Sequence, residues 1–376
     1  MRTKRLLAFL AAVLGVTLTL AACGANTGGG GDGGDAEAGQ DGGGSLGTVG
    51  VILPETASSS RWEGFDKPML EQALRAEGFD PDVQNAQGDV QKFTTLADGM
   101  IAQGVKVLVI ASINSEVGSA VAAKANNAGI PTIDYDRLNL GGSSDYYVSF
   151  DNVKVGELQG QGIADALKDK RGAQIIEIEG APTDNNATLF HKGQRNVLQP
   201  LYDSGQLELV RSQPIDDWNN QAGGRVFEQI LTGNGGKVDG VVAANDGLAG
   251  AVITVLRKNG MNGQVPVTGQ DATPDGLKAI LRGDQYMTVF KPVMEEAEAT
   301  AKLAAALAKG DTAAADALAK DVSEDPKGNR KVKSVLLEPY LITKDEVKRV
   351  VDEGYVKASE ICTPDLKSVC ADLGIS

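Results

Sequence analysis

Apolar runs of strand-like composition alternate with segments of helical spacing along most of this chain, and this alternation restricts the fold more than any other feature. Residues 105–111 are almost all Val, Ile, Leu or Ala, which is typical of a strand buried on both faces. A helical segment at 117–128 stops before Gly129, and residues 130–135 again have strand character. Short connections between such segments predict a parallel sheet with helices on both faces.

The alternation occurs in two successive sets, at residues 48–151 and 153–290. The sequence therefore predicts an α/β protein with two similar Rossmann-like lobes and parallel-rich sheets. A long Ala-rich helix is expected at 294–308. The polar segment 311–329 is expected to be a loop, and a last strand is expected at 332–337.

The first residues differ from the rest of the chain. Arg2, Lys4 and Arg5 precede an apolar segment, 6–20, that has the length of a secretory signal and is short for a transmembrane helix. Small residues then lead to Cys23, a pattern similar to a bacterial lipoprotein signal. We expect residues 1–22 to be a signal peptide cleaved before Cys23, which becomes lipidated. An uncleaved anchor, or an ordinary signal followed by a chance cysteine, is the alternative.

Residues 24–46 contain 11 Gly and no aromatic or basic residue, so they cannot form a core. We expect residues 23–46 to be a lipidated cysteine followed by a flexible tether, about 25–30 Å long on average. Removal of the signal takes away three of the 36 basic residues and none of the 50 acidic ones, which leaves a net charge of −17. Such an acidic body is unsuited to nucleic acid, and solubility explains the acidity.

Cys362 and Cys370 are the two cysteines that remain after Cys23. Disulfides persist outside the cytoplasm, so we favour a disulfide that closes the small loop between them. A metal site is not expected there, because no His or further cysteine pair is nearby. The disulfide would hold the C-terminal tail in place.

Polar residues stand where an expected strand, 173–179, gives way to a helical segment. Asp184, Asn185 and Asn186 lie at this junction. In open α/β sheets, ligands bind at the carboxyl ends of strands. One polar residue is enough to cap a helix, and three stand at this junction. Capping and ligand binding are therefore about equally favoured.

The same feature recurs after nearly every expected strand, and turn chemistry explains only part of it. Asn and Asp are common in turns, but three basic residues and the chain's two tryptophans are not explained in this way. Acids, amides and cations beside flat rings suit a small polyhydroxylated ligand, because they bond its hydroxyls while Trp stacks on its C–H faces. The residues concerned are Arg61, Trp62, Ser112, Asn114, Asp136, Arg137, Asp184, Asn185, Asn186, Asp216, Asp217, Trp218, Asn245, Asp246, Gln270, Asp271 and Lys291.

Residues 47–358 resemble the type I periplasmic binding proteins of bacterial sugar ABC transporters, in particular those that bind D-xylose. The resemblance rests on the order and separation of several short motifs. They are Arg61-Trp62, Tyr135-Asp136-Arg137, residues 149–159, residues 183–187, Leu189-Phe190, Ala244-Asn245-Asp246, residues 269–272 and Phe290-Lys291-Pro292.

The resemblance implies a site between two lobes in which Trp62 and Trp218 enclose a pyranose ring. Asn185 is left to capping or packing. His191, the only histidine, stands where relatives often carry Arg and receives no role. The resemblance further implies that the sugar's hydroxyls and ring oxygen are bonded by Arg61, Asp136, Arg137, Asp184, Asn186, Asn245, Asp271 and Lys291.

Discontinuous lobes joined by a three-segment hinge are also implied. The N-terminal lobe is expected to comprise residues 47–151 and 292–335, and the C-terminal lobe residues 152–291 and 336–376. The chain would cross between the lobes near Asp151-Asn152, near Lys291-Pro292 and near residues 336–339. Closure about this hinge would trap the sugar.

The resemblance implies an extracytoplasmic lipoprotein, anchored to the cell membrane, that delivers a monosaccharide, foremost D-xylose, to an ABC permease. We expect a monomer, no enzyme activity, no cofactor, no metal and no nucleic acid. Residues 56–60 resemble relatives that bind glucose, galactose and arabinose, so a broader sugar range with presentation to a membrane sensor stays open. A glycoside hydrolase is the weaker alternative, because Asp216 and Asp217 are adjacent and would point to opposite faces.

Overall fold

Strands and helices alternate along the chain as the sequence pattern predicts, and the α/β fold class is confirmed. The computed structural model describes residues 45–56 and 59–375. The expected signal peptide, Cys23 and most of the expected tether lie outside the described residues. The strands are β1 (Thr48–Leu53), β2 (Asp80–Asn85), β3 (Val107–Ile110), β4 (Thr132–Tyr135), β5 (Tyr146–Phe150), β6 (Ala173–Glu179), β7 (Leu207–Pro214), β8 (Gly240–Ala243), β9 (Thr288–Phe290), β10 (Asp321–Asp325), β11 (Arg330–Leu337) and β12 (Tyr340–Ile342).

The helices fill most of the connections between these strands. A single turn of π-helix at Trp62–Asp66 leads into the first α-helix, and a short 3₁₀ turn covers Asp216–Trp218. The α-helices are α1 (Lys67–Ala76), α2 (Val90–Gln103), α3 (Ser115–Asn127), α4 (Asn152–Ala166), α5 (Asn185–Asp203), α6 (Asn220–Gly233), α7 (Asp246–Lys258), α8 (Pro274–Arg282), α9 (Val293–Ala308), α10 (Thr312–Leu318), α11 (Val347–Asp352), α12 (Ala358–Ile361) and α13 (Lys367–Asp372).

The first sheet has seven strands in the order β10-β11-β5-β4-β3-β1-β2, and only the pairing of β10 with β11 is antiparallel. Both faces of its central strands are buried. In β3, Val107 and Val109 pack into a core with α1 and α9, while Leu108 and Ile110 pack into a second core with α2 and α3. This double burial is the reason why the strand reads as a continuous apolar run.

The second sheet is smaller, with the order β7-β6-β8 and parallel pairing throughout. The strand expected at 265–268 is reduced to a single bridge between Val267 and Val241. Strands β9 and β12 form a separate antiparallel pair. Three of the helix N-termini at the strand ends of this sheet are capped by the polar side chains that follow the strands: Asp184, Asn219 and Asn245.

One expectation about residues 311–337 is wrong. Residues 311–329 are not a loop, because Asp311 caps the Ala-rich α10 and the following residues form β10 at the sheet edge. The buried Asp325 closes the turn after β10 by accepting hydrogen bonds from Gly328 N and Arg330 Nε. Strand β11 ends at Leu337, which pairs with Phe150, so the last strand ends where the sequence predicts.

The C-terminal segment is held by its own small core and by a disulfide. Cys362 and Cys370 are bonded, with their Cα atoms 5.9 Å apart. Cys370 is buried with α8 and α11 in a cluster that includes Leu277 and Val350. Among the described residues, no helix has both the length and the apolar character needed to cross a bilayer.

Helices α4 and α5 approach each other very closely because each has a glycine at the contact. A Cβ on Gly156 would overlap the carbonyl oxygen of Phe190, and one on Gly193 would overlap the carbonyl oxygen of Val153. The close approach brings the first turns of the two helices together, where Asn152 Nδ2 donates to Asn186 Oδ1 at 3.1 Å.

We expect Gly193→Ala to lower the free energy of unfolding by about 1–3 kcal/mol or more, because the added methyl group forces α4 and α5 apart. Urea denaturation followed by circular dichroism measures the change. Gly250→Ala is the matched control, since it lies in α7 with no atom within 4 Å of the added Cβ. It should stabilise the protein by roughly 0.5–1 kcal/mol. Equal effects of the two substitutions would contradict the packing argument.

Candidate functional site

One buried cavity collects all ten of the polar and aromatic residues that the sequence analysis assigns to a ligand. Its empty space is about 330 Å³ with the open mouth included, but only about 30 Å³ of it admits the centre of a water molecule. The lining side chains therefore leave little free space inside it. The lining residues are Ser59, Arg61, Trp62, Asp136, Arg137, Asp184, Asn186, Phe190, Trp218, Asn245, Gln270, Asp271 and Lys291.

The cavity lies where strands of both sheets end. Arg61 and Trp62 follow β1, and Asp136 and Arg137 follow β4, so the first sheet supplies four lining residues. The connections after β6, β7 and β8 supply Asp184, Asn186, Trp218 and Asn245. Asp271 follows the bridge at Val267, and Lys291 follows β9. The site thus occupies the position that open α/β sheets reserve for ligands.

Arg61 is the most constrained charge in the site. Its Nε and Nη2 donate to Asp66 at 2.8 and 2.6 Å, and its Nη1 donates to Asp136 at 2.7 Å. Nη2 also contacts Glu296 at 3.1 Å. Tyr135 donates to Asp66 at 2.8 Å. Arg61 is only 2% exposed, and three carboxyl groups surround its buried guanidinium.

The pKa values of two of these carboxyls are shifted in opposite directions. Burial opposes the charge of Asp136, but Arg61, Lys291 and Arg137 outweigh burial and hold the pKa of this carboxyl below its ordinary value. Burial raises the pKa of Glu296, the charge of Asp136 raises it further, and Arg61 only partly offsets them. Of the two, Glu296 is therefore the carboxyl that takes up a proton more readily, and Asp136 is the one favoured as a charged acceptor beside the cavity.

Asp184 both caps a helix and lines the cavity. Its Oδ1 accepts from Asn186 N at 2.9 Å, which makes it the N-cap of α5. Its Oδ2 accepts from Trp218 Nε1 at 3.1 Å and forms an ion pair with Arg137 Nε at the same distance. Of the two roles left to Asn185, capping is therefore taken by Asp184, because the two oxygens of one carboxylate serve both purposes.

The two tryptophans are buried and held by polar contacts at their indole nitrogens. Trp62 Nε1 donates to Glu55 at 2.9 Å, and the guanidinium of Arg61 lies 4.6 Å from the Trp62 ring centre. Trp218 packs edge-on against Phe190, with ring centres 6.4 Å apart. Its backbone has a positive φ of 54°, a conformation that non-glycine residues seldom adopt. Such strain is common at binding sites.

The loop that carries Asp271 is held in place by hydrogen bonds to the buried carboxylate of Asp246. Asp271 and Ala272 have positive φ values of 95° and 48°. Asp246 accepts from Thr273 N at 2.8 Å and from Thr288 Oγ1 at 2.8 Å, so it links the residue after this loop to β9. Burial raises the pKa of Asp246 to about 7. In this loop conformation, Asp271 Oδ1 lies 3.1 Å from Lys291 Nζ.

Contacts across the cavity join the two sheets directly. Asn186 Nδ2 donates to the backbone oxygen of Asp136 at 2.8 Å, and Ser59 Oγ donates to Asp271 at 2.9 Å. The Arg137–Asp184 ion pair forms a third link.

The charges of the lining residues are balanced. Arg61, Arg137 and Lys291 face the three acids Asp136, Asp184 and Asp271. A balanced lining favours a neutral ligand with many hydroxyls over an anion or a cation.

Several residues of the site were missed by the sequence analysis. Ser59 and Phe190 line the cavity, while Asp66 and Glu296 lie behind it against Arg61. Gln270, which the sequence analysis names among the polar residues after strands but does not assign to the sugar, also lines the cavity. Asp66 follows Arg61 by five residues along one helical turn, a spacing that could have indicated the pair. Glu296 is a buried acid within an apolar helix face, and only the partner across the fold explains it.

A second group of titratable residues lies elsewhere, on β6 and α5. Glu177, Glu179 and His191 offer atoms within 4.8 Å of one another. Arg195 lies among them, with Nη2 2.5 Å from Glu177 and Nε 3.3 Å from His191 Nε2. A hydrogen bond to Glu179 raises the pKa of His191 despite burial. Because a guanidinium already neutralises a carboxylate here, this group is an ion-pair network.

The chain matches known proteins along most of its length. Residues 49–312 match the periplasmic binding protein domain. The D-xylose-binding periplasmic protein of Escherichia coli is 37% identical over 80% of this chain and 88% of that protein. A multiple sugar-binding periplasmic receptor of Rhizobium radiobacter is 36% identical over 84% of this chain and 92% of the receptor.

Solved structures agree with these matches. An ABC transporter solute-binding protein from Clostridium phytofermentans with bound β-D-glucose is 31% identical, with a TM-score of 0.73 over 84% of this chain and 99% of that protein. A carbohydrate transporter solute-binding protein from Chloroflexus aurantiacus with D-glucose is 29% identical, with a TM-score of 0.76 over 83% and 97%. The chain therefore belongs to the type I periplasmic binding protein family, close to its D-xylose-binding members, as predicted.

We expect Glu296→Gln to stabilise the protein at pH 7, with a gain that shrinks as the pH falls toward 4.5. The pKa of Glu296 is higher in the folded than in the unfolded protein, so the wild type must bury a charge or take up a proton on folding. This penalty vanishes below the ordinary pKa of about 4.5.

Urea denaturation at several pH values measures this difference. Glu298→Gln is the matched control, because Glu298 lies on the exposed side of the same helix and pairs only with Lys302 among the contacts described. Its effect should be small at every pH. If the difference in free energy of unfolding between wild type and Glu296→Gln widens as the pH falls, the raised pKa of Glu296 is contradicted.

Proposed function

We propose that this protein captures a neutral monosaccharide outside the cytoplasm and delivers it to an ABC sugar permease. The observation that carries the proposal is the convergence of three acids, three cations, three amides and two tryptophans on one small buried cavity. Sugars are bound by such sets, because acids and amides accept from hydroxyls, cations donate to oxygens and rings pack on C–H faces.

D-xylose is the ligand that we propose first. Support comes from the similarity to the D-xylose-binding proteins of Escherichia coli and Haemophilus influenzae, at 37% and 38% identity. The second candidate is a broader range of monosaccharides, with presentation to a membrane sensor. It is supported by the 36% identity to a multiple sugar-binding receptor and by the D-glucose bound in two related structures.

The location and the partners are part of the same proposal. The cysteine after the apolar N-terminal segment supports lipidation at Cys23 and attachment to the cell membrane. We propose a monomeric binding protein without catalytic activity. The names of the relatives above support the binding role. Its partners are the sugar and the permease.

We further propose that two lobes, each built around one sheet, close over the sugar. Three chain segments connect the sheets: residues 150–152 between β5 and α4, 290–293 between β9 and α9, and 337–340 between β11 and β12. Each is short, so rotation of a few backbone angles is sufficient for a hinge.

The decisive experiment is calorimetric titration of the purified protein with D-xylose, D-glucose, D-galactose, L-arabinose and D-ribose. We expect D-xylose to bind most tightly. Similar affinities for several of these sugars would favour the broader range. No heat of binding with any of them would overturn the proposal, and release of monosaccharide from an oligosaccharide would favour an enzyme.

Trp62→Ala should weaken sugar binding about tenfold or more while the protein stays folded, because the ring loses a stacking partner. Phe79→Ala is the matched control, since Phe79 is equally buried in the same hydrophobic core but does not line the cavity. The control should lose stability and keep its affinity. An unaltered affinity of Trp62→Ala would contradict the stacking role.

Closure is tested by small-angle X-ray scattering with and without saturating sugar. We expect the radius of gyration to fall on addition of the sugar that binds most tightly in calorimetry, since the lobes rotate together. A radius that is unchanged at saturation would contradict the hinge and leave the binding assignment to calorimetry.

A further inference from the structure

Gln270 has an acceptor atom that no other group in the described part of the chain uses. The side chain lines the cavity and is only 3% exposed. Its Nε2 donates to the backbone oxygen of Ala244 at 3.1 Å. Its Oε1 is buried and has no hydrogen-bond partner among the described residues. Buried acceptors are rarely left in this state, so a donor from outside the chain is expected.

The orientation of this amide is fixed by its neighbour. If the amide were flipped, its oxygen would face the carbonyl oxygen of Ala244, and two acceptors would oppose each other. The Ala244 carbonyl therefore selects the orientation in which Nε2 is engaged. The atom left without a partner is an acceptor, and it requires a donor such as a hydroxyl.

The other amides that line the cavity are already engaged at their oxygens. Asn186 Oδ1 accepts from Asn152 Nδ2 at 3.1 Å, and Asn245 Oδ1 accepts from Leu248 N at 2.9 Å as a helix cap. Of the three amides, Gln270 is thus the one whose oxygen has no partner in the part of the chain that the structure describes.

The carboxylates of the lining differ from Gln270 in a second way. Asp136, Asp184 and Asp271 each contact a cation, which competes for their oxygens. A hydroxyl that binds them must share the acceptor with Arg or Lys. A hydroxyl that binds Gln270 satisfies a neutral acceptor without displacing a partner, so its full hydrogen bond contributes to affinity.

We propose that Gln270 is a further ligand-binding residue, whose Oε1 accepts a hydrogen bond from one hydroxyl of the bound sugar. This inference rests on the proposed sugar-binding function and adds a specificity determinant to it. A sugar that lacks this hydroxyl, or carries an ether in its place, offers no donor and should be disfavoured.

The test is a set of calorimetric titrations of the wild type and Gln270→Met with D-xylose, D-glucose and each of their monodeoxy analogues. Methionine keeps the length and apolar volume of the side chain and removes the acceptor. We expect Gln270→Met to bind the parent sugar roughly tenfold more weakly than the wild type. One monodeoxy analogue should bind both proteins about equally.

Gln159→Met is the matched control. Gln159 is fully buried and donates to the same Ala244 carbonyl at 3.1 Å, but it does not line the cavity. Its replacement should lower the unfolding temperature and leave the ratio of affinities for parent and deoxy sugars at its wild-type value.

Each result distinguishes this inference from the proposed function. If the wild type binds none of the sugars, the sugar-binding function and the inference both fail. If the wild type binds and Gln270→Met binds every sugar within twofold of it, only the role of Gln270 is refuted. An equal loss for the parent sugar and for every deoxy analogue would show a purely structural residue, and would also refute it.

Discussion

The buried guanidinium of Arg61 is the interaction on which the architecture of the cleft depends. It contacts carboxyls from three separate parts of the chain: Asp66 on the first helical turn, Asp136 after β4, and Glu296 on α9. A buried cation without these partners would be strongly destabilising, so the three elements can adopt only the arrangement that keeps the bonds. Asp136 is thereby presented to the cavity as a charged acceptor, and Trp62 follows as the next residue of the same turn.

The site is largely satisfied by its own side chains. Arg137 pairs with Asp184, Ser59 with Asp271, and Asn186 with the backbone of Asp136. A ligand that enters must exchange these bonds for its own, and the net gain per hydrogen bond is modest. Selectivity then depends on how many of the exchanged bonds a given sugar restores. A lining group without a partner inside the protein loses no bond when the sugar binds, so it has a large effect on selectivity.

Much of the fold and of the site could be predicted from the sequence. Strand β3 is a continuous apolar run because both of its faces are buried, and polar residues after strands lie together because parallel strands end at one edge. The roles of Asp66 and Glu296 could not be predicted, because their partner Arg61 is brought to Glu296 only by the tertiary fold. The double role of Asp184 was missed for a different reason: a sequence pattern assigns one role to a residue, whereas a carboxylate has two oxygens.

The place of β11 in the first sheet has a consequence for how this protein matures. Strand β5 is flanked on one side by β11, which is nearly two hundred residues later in the chain. Until residues 330–337 emerge, β5 is an open sheet edge with unpaired backbone groups, and such edges invite association with other chains. During synthesis from the N-terminus, the exposed edge of β5 must therefore be kept from pairing with other chains. A chaperone, or rapid export in the unfolded state, would prevent such pairing.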